Sequence, residues 1–203
     1  MTAAPDAAER VLSFWIGPLD ADGLASPEYS RRWYTKDPAF DAEIREKFEA
    51  DRFALDEGLR LDWLATPRGR LAAIIVLDQF SRNMYRGTAD MFSTDALALR
   101  IAEEGITAGA DRGLAASERS FFYMPFMHSE DLAMQARSVA LFTGWRDGTE
   151  GRARASAENA LGYAIKHRDL VVKWGRFPHR TLILGRTASK EELEFLKQPG
   201  SGF

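Results

Sequence analysis

The run "RLAAIIVLDQFSRN", residues 70–83, constrains this chain more than any other stretch. From Leu71 to Leu77 there is no polar side chain at all. A surface helix carries an apolar stripe along one side, whereas a helix apolar all round belongs inside the molecule. Thr66-Pro67, a capping residue followed by proline at the first helical position, marks where such a helix starts. The expectation is therefore a central buried helix surrounded by others. A fully buried strand over 74–77 is the competing reading, because a short apolar run has no periodicity to separate the two. In both readings Asp78 comes next, and an unpaired carboxylate there is expensive.

The remainder reads as helices joined by short turns, with no convincing alternating strand. A first helix runs from about Asp6 to Ile16 and stops before Gly17-Pro18. Asp37 and Pro38 open the clearest amphipathic helix, with Phe40, Ile44, Phe48 and Leu55 at helical spacing and Gly58 as its stop. Residues 94–107 and 117–124 are expected to be helical, and Pro125 is expected to end or kink the second. Ser129 can cap a helix reaching about Gly144, with Glu130 and Asp131 in its first turn. A long helix over about 153–173 should end at Gly175, and its two apolar rows predict burial on two sides. "SKEE" at 189–192 matches a capping box. The sum is an all-α single domain over 1–203, a stack of antiparallel helical hairpins or an irregular bundle, with 1–5 and 198–203 frayed.

Composition narrows the function. The chain has 203 residues, a net charge of −3 and no cysteine, so disulfides and thiolate metal sites are excluded. The N-terminal segment carries Asp6, Glu9 and Arg10 where a signal peptide needs an apolar run, and no stretch is long enough for a membrane span. A cytoplasmic protein with no membrane and no nucleic-acid partner is expected, since the chain is acidic overall. Walker-type and dinucleotide glycine loops, the G-x-S-x-G elbow, H-E-x-x-H, His-Asp pairs and the E-x-x-H pattern of di-iron bundles are all missing. No metal or other cofactor is expected.

Charge is nonetheless segregated. Residues 170–190 contain Lys173, Arg176, His179, Arg180, Arg186 and Lys190, and the stretch after Asp169 holds no carboxylate. Three polar stretches interrupt the apolar pattern, "LDQFSRNMYRGT" at 77–88, "MHSEDLAMQ" at 127–135 and residues 166–186, which overlap this basic window, and the last two hold His128, His167 and His179. Guanidinium forks match carboxylate or phosphate, so Arg82, Arg86, Arg176, Arg180 and Arg186, with His179 as a further donor, are candidates for binding a small anionic ligand or an acidic peptide. The same cations can instead form an internal network with Asp78, Glu130, Asp131 and Asp169. His128 beside Glu130 or Asp131 is a candidate acid–base pair, although Ser129 and the two acids are also what a helix start requires. His167 lies in an apolar row and reads as a hydrogen-bonded core residue, and Asp78 as the structural partner of Arg82 or Arg180.

These motifs, in this order and together with Phe14-Trp15, resemble the bacterial family catalogued as domain of unknown function nine hundred and twenty-four, which repeats L-D-Q-F-x-R-N-x-Y-R-G-T, H-S-E-D and G-R-F-P-H-R. Thr181 stands where the family pattern has asparagine, and Trp174 where it has phenylalanine. The resemblance covers nearly the whole chain. It implies an all-helical fold of the tetratricopeptide-like superfamily and brings no activity with it. A protein-interaction scaffold, as such folds often are, is the third functional reading.

Overall fold

Helix starts obey the capping chemistry of the sequence. In the computed structural model, which describes residues 6–201, Asp6 caps α1 (Ala7–Trp15) by accepting from the Ala8 N–H. A short helix, α2 (Pro27–Arg32), comes next. Asp37 caps α3 (Pro38–Asp56) by accepting from Ala39 and Phe40, and Thr66 caps α4 (Pro67–Ile74) through Gly69. Then come α5 (Ser81–Met84), α6 (Asp95–Thr107), α7 (Ala116–Met127), α8 (Leu132–Asp147), α9 (Gly151–Trp174), α10 (Pro178–Thr181) and α11 (Lys190–Leu196). The Ser189–Glu192 capping box opens the last of them as expected. Two short 3-10 turns, Leu61–Ala65 and Ala89–Phe92, complete the set, and among the described residues there is no strand. The chain is an all-α single domain with one hydrophobic core. None of its described helices is long and apolar enough to cross a membrane. Residues 1–5 and 202–203, expected to fray, lie outside the described residues, while Ser201, under the same expectation, is tied back by donating to the Leu196 carbonyl.

The apolar run is the centre of the core: every residue from Leu71 to Leu77 is fully buried. It is helical rather than a strand. Between α4 and α5 the helix widens into a π turn, Ile75–Phe80, after which the Ser81 N–H bonds the Val76 carbonyl. A π turn inserts one residue into the helical repeat and rotates the residues beyond it by most of a step. Here it lets Asp78 and Gln79, adjacent in sequence and both buried, reach the C-terminal end of α7, where Gln79 Nε2 lies 3.4 Å from Met124 Sδ. Around this helix Trp15 meets the rings of Phe80 and Phe121 at 5.3 and 5.8 Å, and Phe14 meets Phe48 at 5.1 Å. Burying such a side chain contributes roughly 1.5–3 kcal/mol.

Three expectations change. Of the two alternatives for Pro125, ending α7 is excluded: the helix runs on to Met127, and His128 N–H still reaches the Met124 carbonyl at 3.0 Å. Ser129 does not cap α8; Asp131 does, accepting from Ala133 and Met134, and the Ser129 hydroxyl accepts only from the Asp131 N–H. A carboxylate offers two charged acceptors to a helix start and here outcompetes the hydroxyl. Finally, α9 is buried along one stripe, Ala157, Leu161, Ala164, His167 and Val171, which packs on α8 across a three-residue turn. Neither expected row is buried throughout: Val172, in the row with Leu161 and Ile165, is 65% exposed, and Tyr163, in the row with His167, Leu170 and Trp174, is 45% exposed.

Candidate functional site

The widened turn of the central helix, the start of α6, the C-terminal end of α7, the middle of α9 and the turn around α10 meet in one polar cluster. Asp78 is at its bottom, fully buried. Its Oδ1 accepts from His128 Nδ1 at 2.8 Å and sits 3.1 Å from an Arg82 nitrogen, and Gln79 Nε2 donates to its Oδ2. Arg82 spans on to Asp95 with two bonds of 3.0 and 3.1 Å and also donates to the Asp78 carbonyl. Asp95 in turn accepts from Arg180 at 3.0 Å, and the other arm of Arg180 donates to the His128 carbonyl at 2.9 Å. The Arg180 guanidinium is sandwiched between Phe92 and Phe177, at 4.4 and 4.7 Å from their ring centres. Its Nε is buried without an acceptor.

The histidines line the same place. His167 Nδ1 donates to the Tyr163 carbonyl at 2.8 Å, and its ring lies 6.0 Å from His128 and 5.5 Å from Phe177, which in turn touches His179. Gly175, left-handed with a φ of 69°, ends α9 and reverses the chain, and Pro178 starts α10, so His179 and Arg180 are set by a stiff turn. Glu130, released from the start of α8 by the shift of the cap to Asp131, closes that turn: it accepts from the Phe177 N–H at 2.9 Å and from Arg186 at 2.8 Å.

Electrostatics derive from burial. Burial by itself pushes the Asp78 carboxyl up, but the adjoining Arg82 guanidinium and His128 outweigh it and hold the group well below the usual carboxylate range. Burial lowers His128 against the opposing pull of Asp78, lowers His167 to about 3 and lowers His179 to about 4, with His128 and Arg180 respectively adding to the effect. All three imidazoles are therefore neutral at pH 7. A neutral His128 whose Nδ1–H faces Asp78 has its lone pair on Nε2, and no hydrogen bond among the described residues engages that atom. His128 keeps 15% side-chain exposure, whereas the Asp78 side chain is buried at 1%.

The structure thus brings together Asp78, Arg82, His128, His167, His179 and Arg180. It separates others. Glu130 and Asp131 are not the partners of His128; that carboxylate is Asp78, because the loop between α7 and α8 turns both acids outward, to the Arg186 pair and the helix cap. Arg86 forks onto Asp41 of α3 at 2.7 and 2.9 Å, and Arg176 onto Glu192 at 2.8 and 2.7 Å, fastening α11. Thr181 is buried with its hydroxyl 3.4 Å from the same Glu192. Asp95, the carboxylate shared by two arginines, carries no sequence signal beyond its place in the first turn of a helix. No group of three or more His, Cys, Asp or Glu side chains among the described residues is arranged to hold a metal ion.

The three motifs supply most of this buried Asp–His–Arg cluster between helix ends, and the chain belongs to DUF924, the bacterial proteins of unknown function, whose family model matches residues 11–200. Among solved structures, the protein of unknown function ATU0120 from Agrobacterium tumefaciens is 37% identical and superposes with a TM-score of 0.79 over 94% of this chain and 96% of that one. No curated protein matches.

Proposed function

We propose that the cluster is an acid–base site for a small anionic substrate, with His128 as proton acceptor and Asp78 as the group that orients it. One observation carries this reading: the 2.8 Å bond from Asp78 to His128 Nδ1 occupies one ring nitrogen and leaves the other uncommitted on a partly exposed ring. A neutral imidazole with a fixed tautomer is what general base catalysis at neutral pH requires, and such groups supply roughly 10²–10⁴-fold in rate. Arg180 and His179 are the donors that receive the anionic group. Asp78 and Asp95 balance Arg82 and Arg180 in charge, with Asp95 shared between the two arginines, and the Arg180 Nε remains without an acceptor. Arg86 and Arg176 have structural roles, each consumed by a carboxylate of another helix. We place the protein in the cytoplasm and its antiparallel hairpins α6–α7 and α8–α9 in the tetratricopeptide-like superfamily. On this reading the hairpins are the frame that holds the cluster, and no protein partner is required.

The test is a mass-spectrometric turnover screen over carboxylated and phosphorylated metabolites, wild type against His128→Gln with its helicity checked. At least one compound should be converted by wild type, with a loss on the order of 10²-fold or more in the variant. No turnover by wild type, or equal turnover by His128→Gln, contradicts an acid–base site.

A further inference from the structure

Gly144 lies inside α8, where glycine is the weakest helix former after proline. Nothing in the fold demands it there. Its φ is outside the left-handed region, and a Cβ built on it meets no heavy atom within 4 Å. Gly69 and Gly105 differ, since added Cβ atoms would strike the Trp63 carbonyl and the Phe122 ring. Gly144 instead lines a shallow cavity of about 370 Å³, open to solvent, between α7, α8 and the loop after α6, together with Tyr123, Leu141, Trp145, Asp111 and Arg112.

The donors and acceptors around this cavity are unevenly used. Arg119 spends its guanidinium on the carbonyls of Asp111, Arg112 and Leu114, at 3.3, 3.1 and 3.2 Å, which fixes the rim. The Tyr123 hydroxyl donates to Asp111 Oδ2 at 2.7 Å. By contrast, the Arg112 guanidinium makes no hydrogen bond or ion pair among the described residues. Trp145 is 3% exposed and its indole N–H is buried without an acceptor.

We propose that this cavity binds a small monocarboxylate with a flat or apolar body. The carboxylate lies on Arg112, and the body fills the space left by Gly144 against Tyr123, Leu141 and Trp145. The Asp111 carboxylate at the rim disfavours a dianion, so a carboxylate is preferred over inorganic phosphate. The site shares no residue with the His128 cluster, so either can stand without the other.

Benzoate is the probe. The indole N–H signals of ¹⁵N-labelled protein are followed during titration, with Trp145→Phe identifying the relevant signal. A saturable shift of that signal is expected with a Kd on the order of 1 mM, and none with phosphate. Arg112→Gln, at the rim, should weaken binding about tenfold or more, the loss of one charge-assisted contact. Gly144→Leu should abolish binding while leaving the thermal midpoint unchanged or higher, and Gly144→Ala, the smaller change, should weaken it. The proposal is overturned if benzoate leaves the Trp145 signal unmoved, if phosphate shifts it equally, or if the Arg112 and Gly144 variants bind as wild type does.

Discussion

The Asp78 carboxylate accepts from His128 and Gln79 and is ion-paired with Arg82, so its removal frees a histidine and leaves a buried arginine with Asp95 as its one carboxylate partner. Breaking a buried pair by removing one partner typically costs about 3–5 kcal/mol. Asp78→Asn should therefore lower the stability measured by urea by that order, although it is nearly isosteric, and a loss below about 1 kcal/mol contradicts the arrangement. The histidines make a separate prediction in pH. Their folded values lie below the ordinary 6.5, so the unfolded chain binds more protons than the folded one as pH falls. Their contribution is fully present above about 6.5 and is lost progressively towards about 4 for His179 and about 3 for His167. Asp78, also lowered, keeps its contribution until the pH drops below the ordinary carboxylate value of 3.8 and through its folded value. Stability measured by urea should thus fall from pH 7 to pH 4, with a shallower slope in His179→Gln; a flat profile contradicts neutral buried imidazoles. That a histidine row and an arginine-rich turn sit together was legible from the three motifs. That Asp95 holds two of the arginines was not, because an acid in the first turn of a helix is also what any helix start carries.

At the scale of elements, capping chemistry predicted most helix starts and misplaced one. Asp37, Thr66 and Ser189 each take N–H groups two or three residues further on, and local spacing suffices to see this. In "HSED" two capping residues, Ser129 and Asp131, stand two apart, and besides the stronger acceptors of the carboxylate the tertiary use of Glu130 at the Phe177 N–H and Arg186 favours Asp131 as the cap. Asp131→Ala should then cost about 0.5–2 kcal/mol, and Ser129→Ala distinctly less, by chemical denaturation. The reverse order contradicts the cap. The π turn was equally invisible, since an apolar run with no polar residue has no phase in which to read an inserted residue. Its consequence is concrete: Asp78 and Gln79 both reach α7.

Across the whole molecule, the fold brings five separate chain segments to one point, and the core around Leu71–Leu77 is what holds them there. The all-helical class was readable from composition and periodicity, and the family from three ordered motifs matched over residues 11–200. The functional reading depends on something smaller, the protonation of a single ring. Nitrogen-detected NMR of His128, identified by His128→Gln, measures both its tautomer and its titration. A neutral imidazole protonated on Nδ1 is predicted at pH 7, with a titration below the ordinary 6.5 and a change of tautomer balance in Asp78→Asn. A titration at or above 6.5, or a proton on Nε2, contradicts an Asp78-oriented base.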